Sequence, residues 1–181
     1  MSGSMNDKNK LSKALDRFIL RVGHLFSWIS IVLIGVILLQ VVLRYVFGKG
    51  LVVLEELQWH LYAMVIMIGL SYGLVTDSHI RLDLLHQRFS RKNKELVEIL
   101  GILFLLMPMI IIVMMHSWET VVDSWNIKER SDAPMGLCCR WFIKSFIPLG
   151  FGMLGLAAFS RLIQAVTILK QGKKGRVDGN K

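Results

Sequence analysis

Long apolar runs alternate with short polar segments along this chain, and the pattern predicts a helical membrane protein. The four apolar runs span residues 22–46, 57–75, 99–115 and 146–168. A bilayer core of roughly 30 Å is crossed by about 20 helical residues, so each run can form one transmembrane helix. Helices are expected because a lone strand would leave its backbone hydrogen-bonding groups unpaired in lipid. We therefore predict an all-α integral membrane protein with four transmembrane helices.

Positive charge is unevenly distributed among the polar segments. Sixteen of the 22 lysines and arginines lie in the N-terminal segment, between the second and third runs, or from Arg161 onward. The other six lie near the opposite ends of the helices. Because cytoplasmic loops are enriched in positive charge, we predict that both termini are cytoplasmic. The predicted organisation is a cytoplasmic segment 1–21, a four-helix membrane domain 22–168 and a basic cytoplasmic tail 169–181.

Two segments mix apolar and charged residues in a way that favours short helices in the membrane interface. In the first, His79, Arg81 and Asp83 are interleaved with leucine and isoleucine, and we interpret these three residues as a cytoplasmic elbow motif. The second spans residues 135–146, directly before the fourth run. Inside the third run, Pro108 predicts a kink.

Charged residues mark the outer ends of the first two helices. Arg44 lies near the end of the first run, and only a short segment separates it from Glu55 and Glu56. The helix ends should therefore be close, which permits an ion pair between Arg44 and either glutamate. An unpaired arginine that extends to the interface is the alternative. The two glutamates also suit the N-terminus of a helix, where the helix dipole favours negative charge.

The second helix carries a stripe of polar and small residues along one face. Gly69 and Gly73 form a GxxxG motif, which lets another helix approach closely in lipid. Such a stripe serves either packing inside one bundle or contact with another subunit, and we expect Gly69→Leu to weaken assembly before membrane insertion. The predicted packing interface consists of Arg44, Glu55, Glu56, Trp59, Tyr62, Gly69, Tyr72 and Gly73.

Composition agrees with a membrane location and argues against several other classes. Hydrophobic residues make up 54% of the chain and charged residues only 19%, whereas soluble domains carry about 25% charge. The net charge of +9 is clustered between apolar runs, and no nucleic-acid module is present, so we predict no nucleic-acid partner. Cys138 and Cys139 are adjacent and provide neither a disulfide framework nor a CxxC metal site.

No motif indicates catalysis. The nucleophile motif GxSxG, the Walker A loop and the zinc motif HExxH are all absent, so we predict neither enzymatic activity nor a bound metal or cofactor. Ionisable residues lie at the edges of the runs, whereas a transport helix should carry charge or broken backbone near the midplane. This favours an accessory subunit that packs against a larger partner. Two alternatives stay open: a cytochrome b-like membrane anchor of a redox complex, with haem held by His60 and His116, and a free-standing structural membrane protein.

Several short motifs follow one another along the chain: RYVF at 44–47, EEL at 55–57, the glycine-bearing second helix, HIRLDLL at 79–85 and WFIKSFIPLGF at 141–151. This ordered series resembles the small membrane subunit, of the DctQ type, of TRAP (tripartite ATP-independent periplasmic) transporters. It covers nearly the whole chain after the N-terminal segment. One departure is visible, because the family often has a proline shortly before the aromatic residue matching Trp141. Here Cys138 and Cys139 stand at that place.

The resemblance implies a multi-pass subunit in the inner membrane of a bacterium, with two protein partners. A large permease subunit would carry the substrate and sodium sites, and a periplasmic binding protein would deliver an organic anion. The small subunit would bind the large one and enlarge its static scaffold, with its outer loops helping to seat the binding protein.

Overall fold

Long helices make up nearly all of the structure. The computed structural model describes residues 3–76, 91–133 and 136–178, with side chains described for 10–76, 93–133 and 136–169. The helices are α1 (Gly3–Tyr45), α2 (Val52–Val75), α3 (Arg91–Gly101), α4 (Met107–Asn126) and α5 (Arg140–Asp178). Among the described residues, four helical stretches are long and apolar enough to cross a membrane: Lys10–Tyr45, Val52–Val75, Asn93–Asn126 and Arg140–Leu169. The predicted four-helix transmembrane architecture is confirmed.

The helices extend beyond the apolar runs that predicted them. The segment 1–21 is helical from Gly3 and continues into the first membrane span without a break. In the described part of the segment 135–146, which starts at residue 136, there is no separate interfacial helix, because α5 begins at Arg140 and runs through Pro148. The elbow motif of His79, Arg81 and Asp83 lies outside the described residues.

A π-helical turn, Ile102–Leu106, joins α3 to α4 directly before Pro108. The amide of Met107 donates to the carbonyl of Ile102, five residues earlier. A proline has no amide hydrogen, and its ring crowds the carbonyl four residues before it. A wider turn accommodates both effects within one continuous span. The local disturbance expected from Pro108 therefore takes the form of a π turn.

Helix α5 lies at the centre of the bundle and contacts each of the other four helices. In its most apolar stretch 39% of the residues are buried, against 11% in each of the other three spans. Phe151, Leu154 and Ala158 pack in one core cluster, and Met153 and Ala157 pack in a second. Small side chains on α5 let neighbouring helices approach closely, as expected for helix packing in lipid.

The bundle has two ends. One of them, here called the loop end, carries the first loop (46–51) and the third loop (127–139). At the opposite end, here called the terminal end, Ser12 and Asp16 of α1 contact α5. The hydroxyl oxygens of Ser12 and Ser160 are 2.8 Å apart, and Gln164 donates to Asp16 over 2.8 Å. These hydrogen bonds fix the beginning of α1 against the last membrane turns of α5.

Candidate interaction site at the loop end

The third loop begins with a helix-terminating motif that contains an unusual residue. The amide of Glu129 donates to the carbonyl of Ser124 at 3.0 Å, and that of Lys128 donates to Trp125 at 3.2 Å. These two bonds define a Schellman motif, whose left-handed position is usually occupied by glycine. Lys128 occupies that position here, with a φ of 49°. Left-handed backbone costs a non-glycine residue roughly 1–2 kcal/mol, so the loop holds Lys128 in a strained conformation.

Glu56, in the first turns of α2, fixes the third loop over the bundle. Its carboxylate accepts hydrogen bonds from the hydroxyl of Ser131 and the amide of Leu137. Gly136 is required beside them, because a Cβ there would lie 2.5 Å from that of Ser131 and 2.8 Å from Oε1 of Glu56. Hydrogen bonds to a charged group are about twice as strong as neutral ones. One carboxylate therefore joins both halves of the third loop to α2.

Glu129 connects the third loop to the first turns of α5. Lys144 donates to Oε2 of Glu129. Nη1 of Arg140 lies 3.5 Å from Oε1 of Glu129 and 3.4 Å from Oδ2 of Asp132. The hydrogen bond from Lys144, supported by the charges of Lys144 and Arg140, holds the pKa of Glu129 below its ordinary value. The carboxylate is therefore ionised throughout the neutral range, and the network is intact there.

Arg44 and Glu55 lie beside each other at the loop end. Nη1 of Arg44 is 4.0 Å from Oε1 of Glu55, and both side chains are largely exposed. Exposed pairs of this kind contribute roughly 0.2–1 kcal/mol. The buried Gln40 makes the closer contact, donating to Oε1 of Glu55 over 3.2 Å and accepting from the amide of Leu51 over 3.4 Å. Of the two partners considered for Arg44, Glu55 is the neighbour, whereas Glu56 engages the third loop.

A cavity of about 390 Å³ opens beside the third loop. Its aromatic wall is formed by Trp125 and Trp141, whose ring centroids are 4.5 Å apart at an angle of 80°. Its remaining lining residues are charged or carry thiols: Lys128, Glu129, Arg130, Cys138 and Cys139.

The two cysteines in this cavity are free, exposed and in mutual contact. Cys138 forms an antiparallel bridge with Arg130, and Cys139 has a φ of 70°. Their sulfur atoms are 3.4 Å apart, with the thiol of Cys139 donating to the sulfur of Cys138. This hydrogen bond raises the pKa of the Cys139 thiol.

The stripe predicted on α2 is divided between the bundle and open space. The ring of Tyr72 packs over Gly23 and lies edge-on to His24 at 5.9 Å. Gly69 has no neighbouring atom within 4 Å of the place where a Cβ would stand. It lies instead on a groove of about 190 Å³ between α1 and α2. The stripe therefore contributes to the bundle at Tyr72 and leaves Gly69 uncovered.

The other predicted members of the stripe have different exposures. Trp59 and Tyr62 are 71% and 51% exposed, and Gly73 is half-buried. Their role at an interface with another subunit stays a prediction.

A close approach of the α2 backbone to another helix occurs at a different glycine. A Cβ on Gly150 of α5 would lie 2.7 Å from the backbone oxygen of Met67 and 2.8 Å from its Cβ. The sequence pattern indicated that α5 packs tightly through small residues, but it did not distinguish Gly150 from its neighbours. Ser131 and Gly136 were also missed, because their role depends on the approach of Glu56 from a distant part of the chain.

The two histidines considered as haem ligands make contacts within their own helices. Nδ1 of His60 lies 2.6 Å from the carbonyl of Glu56, and Nδ1 of His116 lies 2.9 Å from that of Ile112. Within the described residues, no three His, Cys, Asp or Glu side chains are grouped so that they could hold a metal ion.

The fold defines a multi-pass α-helical membrane protein with a structured loop end. The family model for the DctQ component of tripartite ATP-independent periplasmic transporters matches residues 33–168. This match covers well over half of the chain, and the protein belongs to that family as a small permease subunit of the TRAP type. The resemblance found in the sequence is thereby confirmed. No curated protein matched the chain.

Proposed function

We propose that this chain binds a large TRAP permease subunit in the inner membrane of a bacterium and enlarges its static scaffold. The complex would take up an organic anion with sodium, after delivery by a periplasmic binding protein. The observation that carries this proposal is the match of residues 33–168 to the DctQ family, and the groove at Gly69 offers a surface for the contact. Helix α2 packs against α5 on one face, yet Gly69 has no atom within 4 Å of its Cβ position. A small residue left uncovered in a membrane helix suits close approach by a helix of another chain.

The buried side chains also support a scaffold role. Among the described residues, the buried polar side chains are all uncharged: Ser12, Gln40, Ser71, Ser117, Ser124, Ser160 and Thr167. Sites that move ions or organic anions through a membrane depend on ionisable groups or interrupted helices near the midplane. We therefore assign the substrate and sodium sites to the large subunit.

Reconstitution tests the proposal. Co-expression of this chain with a large TRAP permease subunit should give a complex that survives purification in detergent. Sodium-driven uptake into liposomes should require both membrane chains and the binding protein. Unchanged uptake after omission of this chain would contradict an essential scaffold role.

The proposed orientation places the loop end outside the cytoplasm. Because both cysteines of the chain are exposed there, a membrane-impermeant maleimide should label intact cells after mild reduction. The double variant Cys138→Ser/Cys139→Ser is the matched control and should remain unlabelled. If the wild-type chain is labelled only after the membrane is permeabilised, the loop end lies in the cytoplasm and the proposed orientation is wrong.

A further inference from the structure

Strained backbone and adjacent thiols coincide in the cavity of the third loop. Among the described residues, the non-glycine residues with positive φ are Lys128 and Cys139. Both line the cavity of about 390 Å³ beside Trp125 and Trp141. Such conformations persist only where the surrounding structure enforces them, and they occur preferentially at functional sites. The strained residue Cys139 is thus itself one of two adjacent thiols on this cavity.

The backbone at Cys139 places both thiols on the same side of the chain. In extended backbone, successive side chains point to opposite faces, which would keep neighbouring sulfur atoms apart. The left-handed φ of 70° at Cys139 changes this arrangement and leaves the sulfurs 3.4 Å apart. A disulfide bond is about 2.05 Å long, so the sulfurs need to close by only roughly 1.4 Å.

We propose that Cys138 and Cys139 form a reversible redox site that closes to a disulfide between adjacent residues. The oxidant class is a disulfide, either a small-molecule disulfide or a protein that donates one. One cysteine thiolate attacks a sulfur of the oxidant and releases one thiol, giving a mixed disulfide. The second cysteine thiolate then attacks the mixed disulfide and releases the second thiol. Two electrons pass to the oxidant, whose two released thiolates take up the two protons.

The surrounding contacts hold the site in place. Cys138 is bridged to Arg130, and the carbonyl of Cys139 accepts from the amide of Phe142 at the start of α5. The amide of Leu137, directly before the pair, donates to Glu56. Adjacent Cα atoms are only about 3.8 Å apart, closer than in ordinary disulfides, and strained disulfides are easily reduced. The closed form should therefore be reversible.

The cellular compartment of this site depends on the orientation proposed above. Only this point rests on the proposed function. A loop end outside the cytoplasm would lie in the bacterial periplasm, where disulfides form and persist. The chemistry itself is independent of orientation and can be measured on purified protein.

The test uses the purified full-length chain and glutathione disulfide as the probe. Because the pKa of Cys139 is raised and the thiolate is the reacting form, the reaction is run at mildly alkaline pH. The wild-type chain should lose two hydrogen atoms in mass, lose both maleimide-reactive thiols, and recover them after treatment with dithiothreitol. The single variants Cys138→Ser and Cys139→Ser should each retain one glutathione instead.

A chain unfolded in urea and detergent serves as the comparison. It shows whether the folded geometry promotes the disulfide or whether two neighbouring cysteines in the sequence are sufficient. The folded chain should give mainly the internal disulfide, whereas the unfolded chain should accumulate the glutathione adduct. Retention of glutathione by the folded wild-type chain, disulfide-linked dimers, or identical products from folded and unfolded chains would each overturn the proposal. These outcomes leave the scaffold function untouched, since complex formation is measured separately.

Discussion

The two faces of α2 meet different surroundings. On one face, the backbone of Met67 contacts α5 so closely that Gly150 cannot carry a Cβ without displacement. On the other face, Gly69 has no neighbouring atom within 4 Å of its Cβ position. Glycine in a membrane helix permits close helix approach in both cases. At Gly150 another helix of this chain makes that close approach, whereas at Gly69 no described helix of this chain does so.

A small-residue motif therefore marks a place where a helix can approach without identifying that helix. The GxxxG of Gly69 and Gly73 stood out in the sequence, yet the backbone of α2 is approached closely at Gly150 of α5. Under the proposed function, the uncovered Gly69 is the place where a helix of another subunit would approach α2.

Gly150→Leu should have the largest effect, because it adds a side chain where a Cβ alone would lie 2.7 Å from a backbone oxygen. Overpacking costs about 1–3 kcal/mol, which predicts a Tm lower by roughly 2–12 °C for a chain of this size. The measurement is thermal unfolding of the isolated chain in detergent. Gly152→Leu is the matched control, because no atom lies within 4 Å of its Cβ position on the same helix. Equal Tm values for the two variants would show that the α2–α5 contact does not determine stability.

Glu56→Ala should release the third loop from α2, because the Ser131 hydroxyl and the Leu137 amide both lose their acceptor. We expect trypsin to cleave after Lys128 and Arg130 severalfold faster than in the wild-type chain. The neighbouring Glu55→Ala is the control and should leave cleavage unchanged, since Glu55 contacts Gln40 and Arg44. Equal cleavage of the two variants would contradict the assigned role of Glu56.

A smaller, pH-dependent effect is expected at Glu129. Its pKa is lowered from an ordinary value of 4.5, first by the hydrogen bond from Lys144. A lowered folded-state pKa stabilises the fold above the unfolded value, and this contribution is lost as pH falls through the folded pKa. The Tm difference between wild type and Glu129→Gln should therefore be constant above pH 4.5 and shrink below it. If the Tm difference between wild type and Glu129→Gln does not vary with pH, the ionisation of Glu129 does not contribute to stability.

The smallest effect is expected for Gly69→Leu in the isolated chain. The added side chain meets open space, so the free energy of unfolding should change by no more than about 0.5 kcal/mol. Thermal unfolding beside Gly150→Leu provides the comparison. A large loss of Tm would place Gly69 in the packing of this chain and end its assignment to an uncovered face.

The fold could be predicted from sequence because bilayer thickness and backbone hydrogen bonding leave few alternatives for apolar runs of this length. Helix ends were less predictable, because α1 and α5 continue through polar sequence that hydropathy assigns to separate segments. The contact of Arg44 with Glu55 could be predicted because only a short loop separates the two residues. The role of Glu56 could not be predicted, since its partners lie about 80 residues away in the sequence. Nor does local pattern reveal that Lys128 and Cys139 adopt left-handed backbone, a conformation that glycine usually provides.

The affinity of this chain for the large permease subunit, measured with the wild type and Gly69→Leu, decides whether α2 forms the interface between the subunits. If α2 presents its uncovered face to that subunit, the leucine should weaken binding by about 5- to 150-fold, because overpacking a close contact costs roughly 1–3 kcal/mol. The isolated variant should retain the wild-type Tm. Wild-type affinity in the Gly69→Leu variant would show that α2 does not contact the large subunit through Gly69, and the groove would then face lipid.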